Sequence, residues 1–468
     1  LEAIDALLLE MCCARVQRAY REFLHTFRAF GPLIFSLASQ QPSPCGTLRF
    51  PAGRAASLAP FLCVSDKSDP KLLAYFMKWH WQLAAGGASS AEARHRPEVL
   101  ISVMGSAQDF KLTAELNTLF ERGLVGAATE ARAVFFAGGT NAGVIALIGS
   151  VLEEAGVQAP LVGVAPLPAL RQRHLLSKHN VAIDPYSRPV DYDHEELPAP
   201  TDTKIAPPSA LNPNTTHFLC VHDGRPLDEA EPLDEAGKAK GKFPYGVELG
   251  LRAKVELEYA KLMRIPSVQL LVQGGPGSLF GCLQSMKAGI PVLAIVDSGG
   301  ACQAIHEFCS EEKHSDGTKP DENKPHEYTP CRKIRNPTLL KAFGKENLVA
   351  QLNEIADLLV KNDSLLQFYK MKSDGSSGGG NEVLHSLLGT IVGAKLAEAE
   401  KLQGKDRAAH LASVLALAVR WDAPEVAPPI IHALGGGGLA ARTNAVLIAL
   451  QQALELQRND FVYMLLDL

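Results

Sequence analysis

The sequence predicts a doubly wound α/β domain with a mostly parallel sheet, followed by an all-α region of helical hairpins. Three observations carry this. Apolar runs of strand length alternate with helix-length segments from Pro97 to about Ser310. Two of those runs end in glycine-rich turns that feed helical patterns. Beyond the Ser373–Asn381 stretch, whose composition is that of a flexible linker, the pattern is helical throughout. Strand–helix alternation of this kind implies parallel pairing, with ligands at the carboxyl ends of the strands.

The elements follow in order. Residues 1–40 read as an amphipathic helix, with Ile4, Leu7, Leu8 and Met11 at helical spacing. Short strands are expected at Thr47–Phe50 and Phe61–Val64, then a helix over Leu72–Leu83. The main strands are expected at Glu98–Met104, Ala133–Ala137, Leu161–Ala165, Phe218–Val221, Val268–Val272 and Val292–Val296. Helices fit between them at Leu112–Thr129, Ala142–Ala155, Gly246–Met263, Ser278–Ala288 and Ala301–Cys309. Residues 183–216 hold seven prolines and no regular period, as a loop or lid would. In all, four zones are expected: a helix over 1–40, an α/β domain with an N-terminal subdomain over 41–310, a charged and Gly/Ser-rich linker with a helix over 311–382, and helical repeats over 383–468. Arg420-Trp421-Asp422 and Arg458-Asn459-Asp460 are weakly alike and lie about one helix pair apart, which suggests stacked hairpins.

Composition bounds the function. The 468 residues carry a formal charge of −5, which leaves no footprint for nucleic acid. Nine cysteines without regular spacing point to reduced thiols in the cytosol. No apolar stretch reaches the roughly 18 residues that a membrane crossing needs. The chain begins without Met and stops on Leu468 inside an apolar pattern, so a piece of something longer is expected.

Chemistry concentrates at two turns. Gly274-Gly275-Pro276-Gly277-Ser278 follows the run Val268–Gln273, and Gly138-Gly139-Thr140-Asn141-Ala142-Gly143 follows Ala133–Ala137. Backbone N–H groups at such turns, with the positive end of a helix dipole, suit phosphate. Neither turn is a P-loop or has dinucleotide spacing, and the glycines can equally serve tight packing. His217 and His222 flank one strand on opposite faces and cannot share a metal. Cys302, His306 and Cys309 share a helix face, as buried packing residues also do. No metal site is expected.

The runs Leu100–Ala107, Gly138–Val144, Asn214–Gly224, Tyr245–Arg252 and Gly274–Gly277, in that order, resemble the Rossmann-like SLOG domain of melastatin-type TRP cation channels. The segment around Leu417–Asp422 is similar to the helical repeats that follow it there. The resemblance implies a cytosolic regulatory region of a channel for cations such as calcium, membrane-associated only through segments outside this chain, and a homo-oligomer, tetrameric if the parent is a channel. It also implies a small nucleotide ligand, ADP-ribose or a relative, with no cofactor required. The positions it marks are Tyr245, Arg252 and the two turns: Gly138, Gly139, Thr140, Asn141 and Gly143, then Gly274, Gly275, Gly277 and Ser278. Tyr245 and Arg252 share a helix face, where a guanidinium can grip phosphate and a phenol can pack on ribose. Arg252 can equally pair with Glu248 or Glu256. Three departures bear on the ligand: Ala301 stands where ADP-ribose-responsive members carry arginine, Met104 where they have a small hydroxyl residue, and Ile145 replaces a methionine.

Two other functions stand beside this one. Cytokinin-activating phosphoribohydrolases of the wider superfamily run a similar loop into a catalytic glutamate, but here Leu279, Phe280 and Gly281 follow. Without a carboxylate on the loop, glycosidic cleavage lacks its acid or base. No enzyme activity and no catalytic residue are therefore expected. A scaffold that keeps the fold for protein contacts is the third reading.

Overall fold

The computed structural model describes residues 45–51, 58–79, 81, 83, 97–106, 114–178, 189–193, 209–224, 246–310, 329–370, 382–435 and 439–466. The expected helix over 1–40, Tyr245 and the Ser373–Asn381 linker lie outside these residues.

The described residues build one sheet of ten strands. They are β1 (Cys45–Arg49), β2 (Ala59–Ser65), β3 (Val99–Gly105), β4 (Ala133–Ala137), β5 (Leu161–Pro166), β6 (Val190–Asp191), β7 (His217–His222), β8 (Ser267–Val272), β9 (Val292–Ile295) and β10 (Leu366–Tyr369). Their order is β10-β9-β8-β3-β4-β5-β7-β2-β1-β6. Every pairing is parallel except that of β1 with β2. The central strands are buried on both faces, which is why they read as continuous apolar runs in place of alternating ones. All six expected main strands are present.

Helices cover both faces. They are α1 (Pro70–Trp79), α2 (Ala114–Thr129), α3 (Gly143–Glu154), α4 (Arg173–Lys178), α5 (Leu249–Met263), α6 (Pro276–Lys287), α7 (Gly300–Cys309), α8 (Pro337–Phe343), α9 (Glu346–Lys361), α10 (Glu382–Ala399), α11 (Gly404–Arg420), α12 (Ala427–Gly435), α13 (Leu439–Glu455) and α14 (Asn459–Leu466). Pro276 opens α6 at a position where the missing N–H costs nothing. Gly156 just after α3 and Gly289 just after α6 take positive φ, the left-handed stop that favours glycine.

The face of Val99, Ile101 and Val103 packs on α3 and α10, in one apolar core that runs on through Trp421 and Phe461 of the helical region. The opposite face packs on α1 and α5 near β3 and β4, and on α6, α7 and α9 near β8 and β9. The helical hairpins follow as expected, with Arg458 bonding back to Asp422 Oδ2 at 3.2 Å and to the Arg420 carbonyl at 3.2 Å. The two similar motifs thus stack on each other.

The expected linker over 311–382 needs correction. Its described part holds two helices, α8 and α9, and β10 joins the main sheet in parallel register with β9, Leu366 opposite Val292. Leu352, Ile355, Ala356 and Leu359 line the buried face of α9, so this stretch belongs to the sheet domain.

Candidate functional site at the carboxyl edge

From β3 the chain winds outward through β4 and β5, while β8, β9 and β10 extend the sheet the other way. The crevice between β3 and β8 is therefore the switch point, where α/β sheets bind ligands. The two glycine-rich turns flank it, one after β4 and one after β8. With strands about 4.8 Å apart, the turns stand roughly 10 Å from each other. Gly105 ends β3 between them.

Local packing explains most of the glycines. A Cβ at Gly139, whose φ is +73, would stand 2.9 Å from the Gly163 Cα on β5. One at Gly138 would lie 2.5 Å from Ile145 Cδ1, and one at Gly274, φ +85, would meet Ser278 Cβ at 2.5 Å. Segment 209–215 pins the first turn from outside: Asn212 N donates to Gly139 O at 2.9 Å and Asn141 N to Ala210 O at 2.8 Å. Thr140 is buried in a bridge with Leu211, Asn141 is exposed, and Gly143 starts α3.

The second turn is the more open. A Cβ at Gly275 or Gly277 would meet nothing within 4 Å among the described residues. The N-terminus of α6 has no side-chain cap. Leu279 N donates to Gly275 O, and among the described residues the Gly277 and Ser278 N–H groups have no protein acceptor. The Ser278 hydroxyl points inward, donating to Gly105 O at 2.9 Å across the crevice floor. By contrast, the first N–H groups of α7 are spent on the turn itself, Ala301 N on Gly274 O and Cys302 N on Gln273 O. The three departures from the resembled pattern are apolar, two of them against the turns and one against α6. Ile145 underlies Gly138, Met104 underlies Gly281, and buried Ala301 lies against Gly274.

Arg252 is where sequence reasoning needs correction. Its guanidinium does not stand open for a phosphate. It is buried on α5, with Nε donating to Glu256 Oε1 at 2.7 Å. Nη2 donates to Ser102 Oγ at 2.8 Å, Val103 O at 3.0 Å and Phe136 O at 3.1 Å. Ser102 completes the network by donating to Glu256 Oε1 at 2.8 Å. The arginine therefore ties the ends of β3 and β4 to α5, beneath the site. Pairing of Arg252 with Glu256, open as an alternative in the sequence, is what the fold uses.

One turn closer to the edge, Glu248 is buried and accepts from Gly246 N at 3.0 Å. Burial pushes its carboxyl up to about 7, against the pull of that N–H group and of the Arg252 charge. Ser102 escaped the sequence reading, since a serine inside an apolar strand gives no sign of its partner. Cys302 and Cys309 are buried thiols that burial pushes up to about 12, and the His306 ring packs edge-on against Phe368. Among the described residues no cluster of His, Cys, Asp and Glu could hold a metal ion.

A mostly parallel sheet with glycine-rich turns at its switch point defines a Rossmann-like fold. The particular family follows from comparison with known proteins. A family model described as SLOG in TRPM matches residues 59–334, more than half of the chain, and the chain belongs to that family. It is similar to transient receptor potential cation channel subfamily M member-like 2 of Nematostella vectensis, 27% identical over 58% of this chain and 16% of that protein. Subfamily M member 7 of Rattus norvegicus is 23% identical over 90% of this chain and 20% of its own length. The channel trpm of Drosophila melanogaster is 25% identical over 93% and 19%. The chain thus spans about a fifth of the relatives it matches, and among its described residues no helix is long and apolar enough to cross a membrane.

Proposed function

We propose that this chain is the cytosolic nucleotide-sensing region of a melastatin-like cation channel, which binds ADP-ribose or a related nucleotide at the carboxyl edge without turning it over. The observation that carries the reading is the open second turn. A Cβ on Gly275 or Gly277 would meet open space here, and the Gly277 and Ser278 N–H groups, with no acceptor among the described residues, lie at the positive end of the α6 dipole. A span of roughly 10 Å between the turns suits a phosphate on one and a sugar or second phosphate on the other.

Binding without turnover is the reading that the second turn favours, because an apolar residue follows its glycines where a carboxylate would be needed. Leu279 is buried in the core, and Glu248 accepts a hydrogen bond from backbone within its own turn. Arg252 serves here by holding the strand ends in place. Assembly of the parent as a homo-tetramer belongs to the same proposal.

Calorimetry of the chain against ADP-ribose, cyclic ADP-ribose, AMP and NAD tests the proposal. Saturable binding of at least one, weakened by Gly277→Ala, supports it. Binding of none, or release of ribose phosphate or adenine in proportion to protein, overturns it.

A further inference from the structure

The opposite edge of the sheet holds a cavity that the nucleotide reading does not use. This cavity, of about 710 Å³, opens where β3, β4, β8 and β9 begin, and α10 and α11 form its other wall. That volume lies within the range of small-molecule sites. Its lining is strongly basic: Arg132, Lys261, Arg264, Lys395 and Arg420 face two carboxylates, Glu98 and Glu398.

Both carboxylates are already shared. Glu98 contacts Arg132 Nη2 and, through Oε2 at 2.9 Å, Arg420 Nε. Glu398 Oε2 lies 2.7 Å from Lys395 Nζ and 3.7 Å from His410 Nε2. Lys261 leans on Glu258 at an exposed 3.0 Å pair, which contributes little to holding its charge. Arg264 is exposed and has no ion-pair partner among the described residues. Burial lowers the pKa of Arg420, and burial with the nearby Arg420 charge lowers that of Arg132, so the cavity holds positive charge at a cost.

The backbone adds a second observation. Arg132 has φ 45 and Arg264 has φ 55, the left-handed region where glycine is the inexpensive residue. Arg132 immediately precedes β4 and Arg264 caps the C-terminus of α5 three residues before β8, and both line the same cavity. Two strained turns in one cavity carry the longest cationic side chain where a glycine would fit with less strain.

We propose that this cavity binds a small ligand bearing several phosphates, seated between the sheet and the helical region. A single phosphate reaches one wall only. Cations on the end of α5, at the start of β4, on α10 and on α11 require anionic groups spread over the width of the cavity. A nucleoside triphosphate and an inositol polyphosphate share this chemistry. The ligand touches both walls, so it stabilises their contact.

Calorimetry and thermal melting of the whole chain with inorganic tripolyphosphate test the assignment. Saturable one-to-one binding is expected, at least tenfold tighter than for orthophosphate. The double variant Arg264→Gln, Lys395→Gln should weaken it by tenfold or more. Arg264→Gly supplies a control for folding, because it relieves the left-handed strain while removing the charge: it should melt no lower than the parent and bind less tightly. Comparing ATP with inositol hexakisphosphate distinguishes the two sources, and tighter binding of either supports the site. Equal affinity in the parent and the double variant, or no saturable binding of any of the three, overturns it.

Discussion

The two edges of the sheet handle charge in opposite ways. At the carboxyl edge, the open positive potential comes from backbone N–H groups and a helix dipole, and Arg252 is buried beneath and spent on Glu256, Ser102 and two strand carbonyls. At the amino edge, five cationic side chains project into a cavity. The difference teaches that an arginine in a helix of this fold is not a phosphate ligand by default. Its depth decides whether it holds the protein together or faces a ligand.

The sharpest test of this contrast is to delete one arginine at each edge. Arg252→Ala strands Glu256 in the core and orphans two strand carbonyls, and should lower unfolding free energy by about 3–5 kcal/mol in urea melts. Arg264→Ala, exposed, should stay within about 1 kcal/mol. Comparable losses at both sites would erase the distinction.

Acidity offers a second way to separate the edges. Glu248, raised by burial to about 7, binds a proton more tightly in the folded chain than in the unfolded one. Its contribution is full below the ordinary carboxyl range and is lost as pH rises through about 7, a change of about 3 kcal/mol. His217, lowered to about 4 by burial, acts the other way, since its contribution is lost as pH falls from the ordinary histidine range. The Glu248 effect is therefore read as the difference between the parent and Glu248→Gln in denaturant melts at pH 5 and pH 8. That difference should favour the parent at pH 5 relative to pH 8, and a flat difference would mean that the carboxyl is not held in the core.

Smaller effects refine the picture at the amino edge. Glu98→Gln removes the carboxylate between Arg132 and Arg420 and should cost about 1–2 kcal/mol. Faster amide hydrogen exchange in α11 than in β3 would locate the loosening at the helical wall. Smallest of all, Gly277→Ala enters open space and should change stability by less than about 1 kcal/mol. Gly139→Ala, by contrast, should cost more than that, because φ +73 and Gly163 both oppose it.

The legible part of the molecule was what periodicity records. Buried parallel strands are apolar without interruption, so β3, β4, β5, β7, β8 and β9 stood out, and the turns after β4 and β8 announced themselves by their glycines. The hidden parts depend on contacts between distant residues. Arg252 and Glu256 sit one helical turn apart and look like an ordinary solvated pair; only their shared partner, Ser102 on β3, places them inside. Strand β10 has four residues and is defined by pairing with β9, some seventy residues earlier. The amino-edge cavity gathers side chains from Glu98 to Arg420, a set that no local pattern links.

The apolar core beneath α10 has a mechanical consequence. It passes without a break from Val99 and Val268 in the sheet to Trp421 and Phe461 among the hairpins. Among the described residues this packing joins the hairpins directly to the sheet, so the hairpins act on it as a lever. Helix α11 alone, with its 17 residues, is roughly 25 Å long. Over such an arm a tilt of a few degrees at the sheet becomes an ångström-scale stroke at the tip, which converts a change too small to notice at a binding site into a displacement that a neighbouring domain can feel.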